Sequence, residues 1–412
     1  GGIGGFAGAG GLGGLGGMGG AGGGGAGGAG GSGGPQCVVP ADCETLPNSN
    51  PTCTDGKCNF TCHTGFADCT FAPGCETDLT DNIAHCGACF NKCAAYCLGT
   101  TCNDPVSIAG GYHHHCAVMT NGDVYCWGRN EKGELGDGTI ISKSVPTKVK
   151  GLPGPAVQVD GGASASMTNY IPKTCAVLVN GELWCWGEGS SVPAKINSLS
   201  GIKQVSVGDS HVCALTTTGA LYCWGGNLRG QVGNGTNGYT PIPTQVAVSV
   251  NQISAGSLHT CSIKLNGTIE CWGDNAHGQL GIGNTMGQTV PTIITTVSGA
   301  TDVRAGNEHT CAISAAQVYC WGANQAGQLG NGSITESSTP QLVDLGPADT
   351  VDLGYNFAGA ITGGSVMMWG QNTSGQLGNG TNVTSYVPVK VNTISEARML
   401  RLSTVSACAL ES

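Results

Sequence analysis

From residue 104 onward, apolar residues come in short alternating runs broken every few positions by Gly, Asn or Pro. Val-Tyr-Cys-Trp at 124–127, Leu-Tyr-Cys-Trp at 221–224 and Ile-Glu-Cys-Trp at 269–272 are such runs. Period-two alternation bounded by turn residues predicts strands, and no helical periodicity competes with it.

The strands also repeat. Cys-Trp-Gly or its variant occurs at 126–128, 185–187, 223–225, 271–273, 320–322 and, as Met-Trp-Gly, at 368–370. Trp224, Trp272, Trp321 and Trp369 stand 48, 49 and 48 residues apart. A period near 50 indicates a solenoid, a propeller or an array. Each unit reads as a short strand ending near a Gly, then His-x-Cys-Ala-hydrophobic, a turn, and hydrophobic-Tyr-Cys-Trp-Gly. Asn-x-x-Gly-Gln-Leu-Gly-Asn-Gly follows, then a Pro and a Val-rich strand. Four antiparallel strands per unit is the content of a propeller blade.

The two cysteines of a unit can be tested against hairpin geometry. Cys116 and Cys126, Cys175 and Cys185, Cys213 and Cys223, and Cys261 and Cys271 are each ten apart. An even separation places two residues opposite each other only across a loop of odd length. Thr120-Asn121-Gly122, Val179-Asn180-Gly181, Thr217-Thr218-Gly219 and Leu265-Asn266-Gly267 supply three-residue loops with Gly in the left-handed place. Counting outward, the cysteines fall on a non-hydrogen-bonded pair, where side chains are closest and a disulfide can close. Cys311 and Cys320 are nine apart, and a two-residue loop at Ala315-Ala316 restores the facing pair. Unit six has Gly359 and Met368 at the two positions, so both partners are lost together. Five hairpin disulfides are expected, each contributing roughly 2–3 kcal/mol.

Composition divides the remainder of the 412 residues. Residues 1–36 hold 23 glycines and no charge, too little apolar surface to offset chain entropy, and read as a disordered Gly-rich tether. Residues 37–103 hold twelve of the 23 cysteines and few large apolar residues, and read as a small disulfide module. The rival there is zinc, through Cys86-Gly-Ala-Cys89 with Cys93 and Cys97 nearby. Residues 104–412 form the repeat domain. Its last cysteine, Cys408, sits in the first half of a seventh unit that reads as cut at Ser412, with Pro105 to Ala109 available as one closing strand. A formal net charge of −10 leaves little for a nucleic-acid surface, and no apolar run reaches the length of a membrane span.

These residues resemble the regulator of chromosome condensation repeat family, most fully at His211 to Gly235, His259 to Gly283 and His309 to Gly332. The resemblance covers about residues 104–412 and implies an all-β, seven-bladed propeller, here six full repeats and a truncated seventh. Unit two departs from it, lacking the Gln-Leu-Gly box after Trp186 and carrying extra residues around Met167 to Pro172. The founding nuclear members exchange guanine nucleotide on a small GTPase and bind chromatin, while secreted relatives are binding proteins. The run Gly74-Cys75-Glu76-Thr77-Asp78 with Cys86 to Cys89 is similar to a module of secreted bacterial proteins.

Candidate chemistry is sparse. His114, His211, His259 and His309 recur two residues before the first cysteine, and one structural hydrogen bond per blade accounts for them more simply than one metal per blade. In His113-His114-His115 only the outer two share a strand face. The tryptophans read as packing between blades, with Trp184 outside the repeat position. No helix or Gly-Lys-Ser/Thr follows the Gly-rich box, so it is no phosphate loop. No cofactor and no catalytic constellation is expected. Asn234, Asn266 and Asn379 head glycosylation-type triplets that the turns already require. The chain therefore reads as a secreted or cell-surface binding protein for a protein or glycan, with a lipid tether upstream of Gly1 as a possible anchor. The alternative is an exchange factor for a small GTPase. The expected binding loops are those where units differ: Arg129, Glu131, Lys132, Asn169, Tyr170, Leu228, Arg229 and Tyr239.

Overall fold

The computed structural model describes residues 49–54, 57–62, 66–67, 77–78, 97–98, 101–111, 113–162 and 173–411. The chain divides after Pro105 into two compact units. In the first, Ser49–Thr54 pairs antiparallel with Lys57–Cys62, placing Cys53 opposite Cys58. Cys53 is disulfide-bonded. Cys97–Leu98 pairs with Thr101–Cys102 and sets Cys97 opposite Cys102. The expected tether over 1–36 and the zinc-spaced Cys86, Cys89 and Cys93 lie outside the described residues.

The second unit is built from six four-stranded antiparallel sheets in chain order. Blade one comprises Pro105–Gly110, His114–Met119, Val124–Gly128 and Lys143–Lys148. Blades two to six follow over 156–195, 202–247, 250–293, 300–342 and 350–390. The seventh unit contributes only a hairpin, Ala397–Leu402 paired with Ala407–Glu411. The expectation of seven blades is thus corrected to six and a two-stranded hairpin. Pro105–Gly110 does not complete the seventh unit, because it is the first strand of blade one.

Within each blade the loop count fixes the register. Met119 N–H donates to Asp123 O across the Thr120-Asn121-Gly122 loop, and Cys116 then stands opposite Cys126. The five cysteine pairs of blades one to five are bonded, with Cα atoms 4.0–4.1 Å apart. Blade five turns at Ala315 and Ala316, both with positive φ, and keeps the same facing pair. In blade six Met368 faces Gly359, where an added Cβ would lie 2.3 Å from the Met368 sulfur, so one long side chain fills the place of a disulfide. Every outer strand carries a proline, at 146, 193, 243, 291, 340 and 388. Proline on these exposed edges blocks pairing with another chain.

The core lies between blades. Each disulfide packs against the Trp of the following blade: Cys116–Cys126 with Trp186, Cys175–Cys185 with Trp224, and Cys213–Cys223 with Trp272. Cys261–Cys271 packs with Trp321 and Cys311–Cys320 with Trp369. The indole N–H donates back to a backbone carbonyl of the preceding blade's Gly-rich box. Trp186 reaches Glu134 O at 2.8 Å, Trp272 Gln231 O at 3.0 Å, Trp321 Gln279 O at 2.9 Å and Trp369 Gln328 O at 3.0 Å. Gly233, at φ 83°, lies so close that an added Cβ would be 2.5 Å from the Trp272 nitrogen.

A threonine hydroxyl uses the carbonyl's second lone pair at three junctions: Thr174 on Glu134, Thr260 on Gln231 and Thr310 on Gln279. Having donated its proton, that hydroxyl accepts from the histidine of the preceding blade, so His114, His211 and His259 must carry a proton on Nε2. Where unit two replaces the histidine by Lys173, the next blade replaces the threonine by Val212. His309 is the exception, because Ala358 stands where its threonine would be and both its ring nitrogens lack partners.

Two substitutions test this relay. Thr260→Val keeps the shape and leaves the His211 N–H unpaired, and should cost about 1–3 kcal/mol in urea unfolding. Ala358→Thr supplies the partner His309 lacks and should gain about 1 kcal/mol. Equal midpoints for wild type and both variants would contradict the relay.

Candidate functional site

The Gly-rich boxes form the loops that carry most of the expected binding residues. In blade three the buried Asn227 accepts from Val232 N–H at 2.9 Å and donates to Thr236 O at 2.9 Å. The buried Gln231 accepts from Arg229 N–H at 2.9 Å. The recurring Asn and Gln therefore hold the loop's shape, and the two residues between Asn and Gly are free to differ. Leu228 is 79 % exposed and Tyr239 68 % exposed. Arg229 extends toward the next blade, 3.8 Å from Asp274. In blade one Glu131 and Lys132 are exposed, and Arg129 pairs with Glu131. Blade two has a tight turn at Glu188-Gly189 in place of a box loop, so the loops of blades one and three are set apart by a short one. Asn169 and Tyr170 lie outside the described residues.

The histidine run is split among three settings. His113 is exposed just before its strand, and His114 belongs to the blade junction. His115 bonds Ser406 at 2.9 Å and stacks on Trp127, with ring centroids 5.9 Å apart. Among the described residues no group of three His, Cys, Asp or Glu side chains is arranged to hold a metal ion. Cys408 is the free cysteine among the described residues, 3.8 Å from His115 Nδ1, and burial pushes its thiol up to about 11. A thiol so rarely ionised is a poor nucleophile. Trp184 points its N–H at Glu182, 3.0 Å away, and packs on the core between blades one and two.

Two clusters carried no signal in the strand pattern. His277 bonds Glu336 at 2.8 Å and lies 3.6 Å from Glu308. Burial alone would lower its pKa, but the Glu336 hydrogen bond and the surrounding carboxylates raise it. The second cluster lines the central channel, a cavity of about 140 Å³. The penultimate positions of successive inner strands, Asp160, Ser206, Ser254, Arg304, Asp352 and Arg401, face it. Asp160 accepts Val207 N–H at 2.8 Å, Ser206 accepts Ala255 N–H at 2.9 Å, Ser254 accepts Ala305 N–H at 2.9 Å and Asp352 accepts Leu402 N–H at 2.6 Å. One rung below, the Gln158 and Gln204 side chains each clasp the backbone of the next inner strand through both N–H and C=O. Burial raises the carboxyl of Asp160 to about 6 and that of Asp352 in the same direction.

The profile of the regulator of chromosome condensation (RCC1) repeat matches residues 121–168, 218–263, 266–313, 316–361 and 363–407, more than half of the chain. The chain belongs to this repeat family. A second RCC1 profile matches 106–134, 202–231 and 250–279. Over 155 residues the RCC1-repeat chain is 30 % identical to the ultraviolet-B receptor UVR8 of Arabidopsis thaliana, covering 34 % of the chain and 33 % of the receptor. Over 85 residues it is 36 % identical to the E3 ubiquitin-protein ligase MYCBP2 of Danio rerio, covering 21 % of the chain and 2 % of the ligase. It thus spans a third or less of these relatives' length. Among solved structures it is similar to human WBSCR16, with TM-score 0.68, 20 % identity and coverage of 75 % of this chain and 87 % of that one. It is similar also to Prp20p of Saccharomyces cerevisiae, with TM-score 0.65, 20 % identity and coverage of 74 % and 82 %. At such identities the likeness concerns the fold.

The buried junction histidines set a pH dependence. Burial lowers His114, His259 and His309 to about 3 and His211 to about 4. The unfolded chain, with ordinary histidines, binds more protons below pH 6.5, so this stability is whole above 6.5 and is lost as pH falls toward the folded values. Between pH 6.5 and 5 each histidine should cost about 2 kcal/mol. Asp160 and Asp352 act oppositely, since their raised folded pKa values relieve a burial cost as pH falls, but four histidines outweigh them. The urea midpoint should drop steadily from pH 7 to 5, and a flat or rising midpoint would contradict the neutral junction histidines.

Proposed function

We propose that this chain is a non-enzymatic, protein-binding propeller that works outside the cell or at its surface. The observation that carries the reading is the set of five disulfides, one inside each of five consecutive blades. Such stapling suits an oxidising compartment, because a reducing one would leave ten thiols in the core.

Protein is favoured as the ligand because of what the loops expose. Arg229 and Tyr239 are of the residue types enriched in protein-binding hot spots, and Leu228 adds exposed apolar surface. Prp20p, whose fold is similar, is described with its binding properties to Gsp1p and histones, and yeast RCC1 (Prp20) with Kap60 bound. A protein-binding role for this chain is our reading of that likeness. Exchange on a small GTPase rests on fold likeness at 20 % identity, and one fold hosts many activities.

The test has two arms. Intact expressing cells are treated with a membrane-impermeant biotin reagent, and the chain should be labelled without lysis, with its ten blade cysteines oxidised by non-reducing peptide mapping. Crosslinking on those cells should join a partner protein to wild type and lose it with Leu228→Ala, Arg229→Ala and Tyr239→Ala combined. Labelling only after lysis, with free blade thiols, would overturn the compartment. Undiminished crosslinking of the triple variant would overturn the loop assignment.

A further inference from the structure

The channel holds two arginines in unequal circumstances. Arg304 lies 3.3 Å from Asp302 and 3.9 Å from Asp352, and its Nε also donates to Val351 O. Its charge is answered within the protein. Arg401, on the inner strand of the final hairpin, feels the carboxylates of Asp352, Asp160 and Asp302 only from beyond 4 Å, and its side chain donates to Leu400 O alone. Most of its five N–H donors are unspent inside a cavity lined by protein. A half-buried guanidinium with that much free donor capacity is matched by a carboxylate, which takes two parallel N–H bonds.

The neighbouring groups narrow the choice. Asp160 and Asp352 line the same cavity, and each already holds a backbone N–H of the next inner strand. A bare carboxylate entering beside Arg401 would meet their negative charge. A ligand bringing its own ammonium would give Arg401 its anion and Asp160 a cation. In the turns after the inner strands the wall adds the Asp209 carboxylate, which the Ser257 hydroxyl meets, the Asn307 amide and the Thr404 hydroxyl, and Ile108, Leu353 and Tyr355 also line the cavity. A volume of about 140 Å³ suits a ligand of a few heavy atoms.

We propose that the central channel is a binding site for a small α-amino-acid zwitterion, with Arg401 receiving the carboxylate and Asp160 the ammonium. The turns that line the cavity lie on the same face as the Gly-rich loops, since Ser210, beside the lining residue Asp209, accepts from Gly226 N–H at 2.7 Å. Nothing in the repeat pattern requires the site, since the equivalent positions in blades three and four are plain serines.

Calorimetric titration of the full chain with glycine, N-acetylglycine and glycinamide tests it. Glycine should bind saturably, and the two blocked probes, each missing one charge, should bind roughly tenfold more weakly or worse. Arg401→Gln and Asp160→Asn should each weaken glycine by a similar factor, with far-ultraviolet circular dichroism confirming that the blades are intact. Asp160→Asn keeps an oxygen for Val207 N–H and guards against loss of fold in the arginine variant. No saturable binding of glycine to wild type would overturn the proposal. So would equal binding of all three probes, or glycine binding unchanged in both variants.

Discussion

One backbone carbonyl at each of four blade junctions carries the contact on which the ring depends. The carbonyls of Glu134, Gln231 and Gln279 each accept two donors from the next blade, an indole N–H and a threonine hydroxyl. Both lone pairs are used in a dry environment, where an unmet polar group is costly. The carbonyl is in place because the Asn-x-x-Gly-Gln-Leu-Gly loop is folded on its own buried Asn and Gln. The loop thus positions the Trp of the next blade, and that Trp covers the disulfide of the blade before it. The histidine completes the chain and is held neutral by it, since protonating Nδ1 would bury a charge with no acceptor.

The disulfides and the relay secure different things. A disulfide closes a hairpin within a blade, and the relay joins one blade to the next. Blade three shows that they are separable: it has Val212 in place of the threonine yet keeps the Cys213–Cys223 bond, while in blade six, which lacks both, Trp369 still bonds Gln328 O. The closing seam is the least regular. Hairpin 397–411 meets blade one through His115 on Ser406 and Ile108 N–H on the Met399 sulfur, contacts that no other junction uses.

Strand register was legible because it depends on local counting. Cysteine spacing and loop length alone place Cys116 opposite Cys126, and the paired loss at Gly359 and Met368 shows which residues share a contact. The boxes were legible as structural turns for the same reason. The blade number was not, because it depends on which partner Pro105–Gly110 chooses, and a six-residue strand carries no mark of that. The channel was also hidden. Asp160, Arg304, Asp352 and Arg401 sit at one repeat position, but a charged residue near a strand end reads as solvent-facing until the ring turns that position inward. The loop residues Leu228, Arg229 and Tyr239 stood out because they break the repeat, whereas His277 with Glu308 and Glu336 joins residues far apart in sequence.

The direct measurement of the junction relay is the tautomer of its histidines. Nitrogen-15 spectra of histidine-labelled protein at pH 7 should show His114, His211 and His259 as neutral rings protonated on Nε2, with those protons exchanging slowly. Rings protonated on Nδ1, or charged at pH 7, would place the threonine proton elsewhere and contradict the shared carbonyl as the contact that holds the blades together.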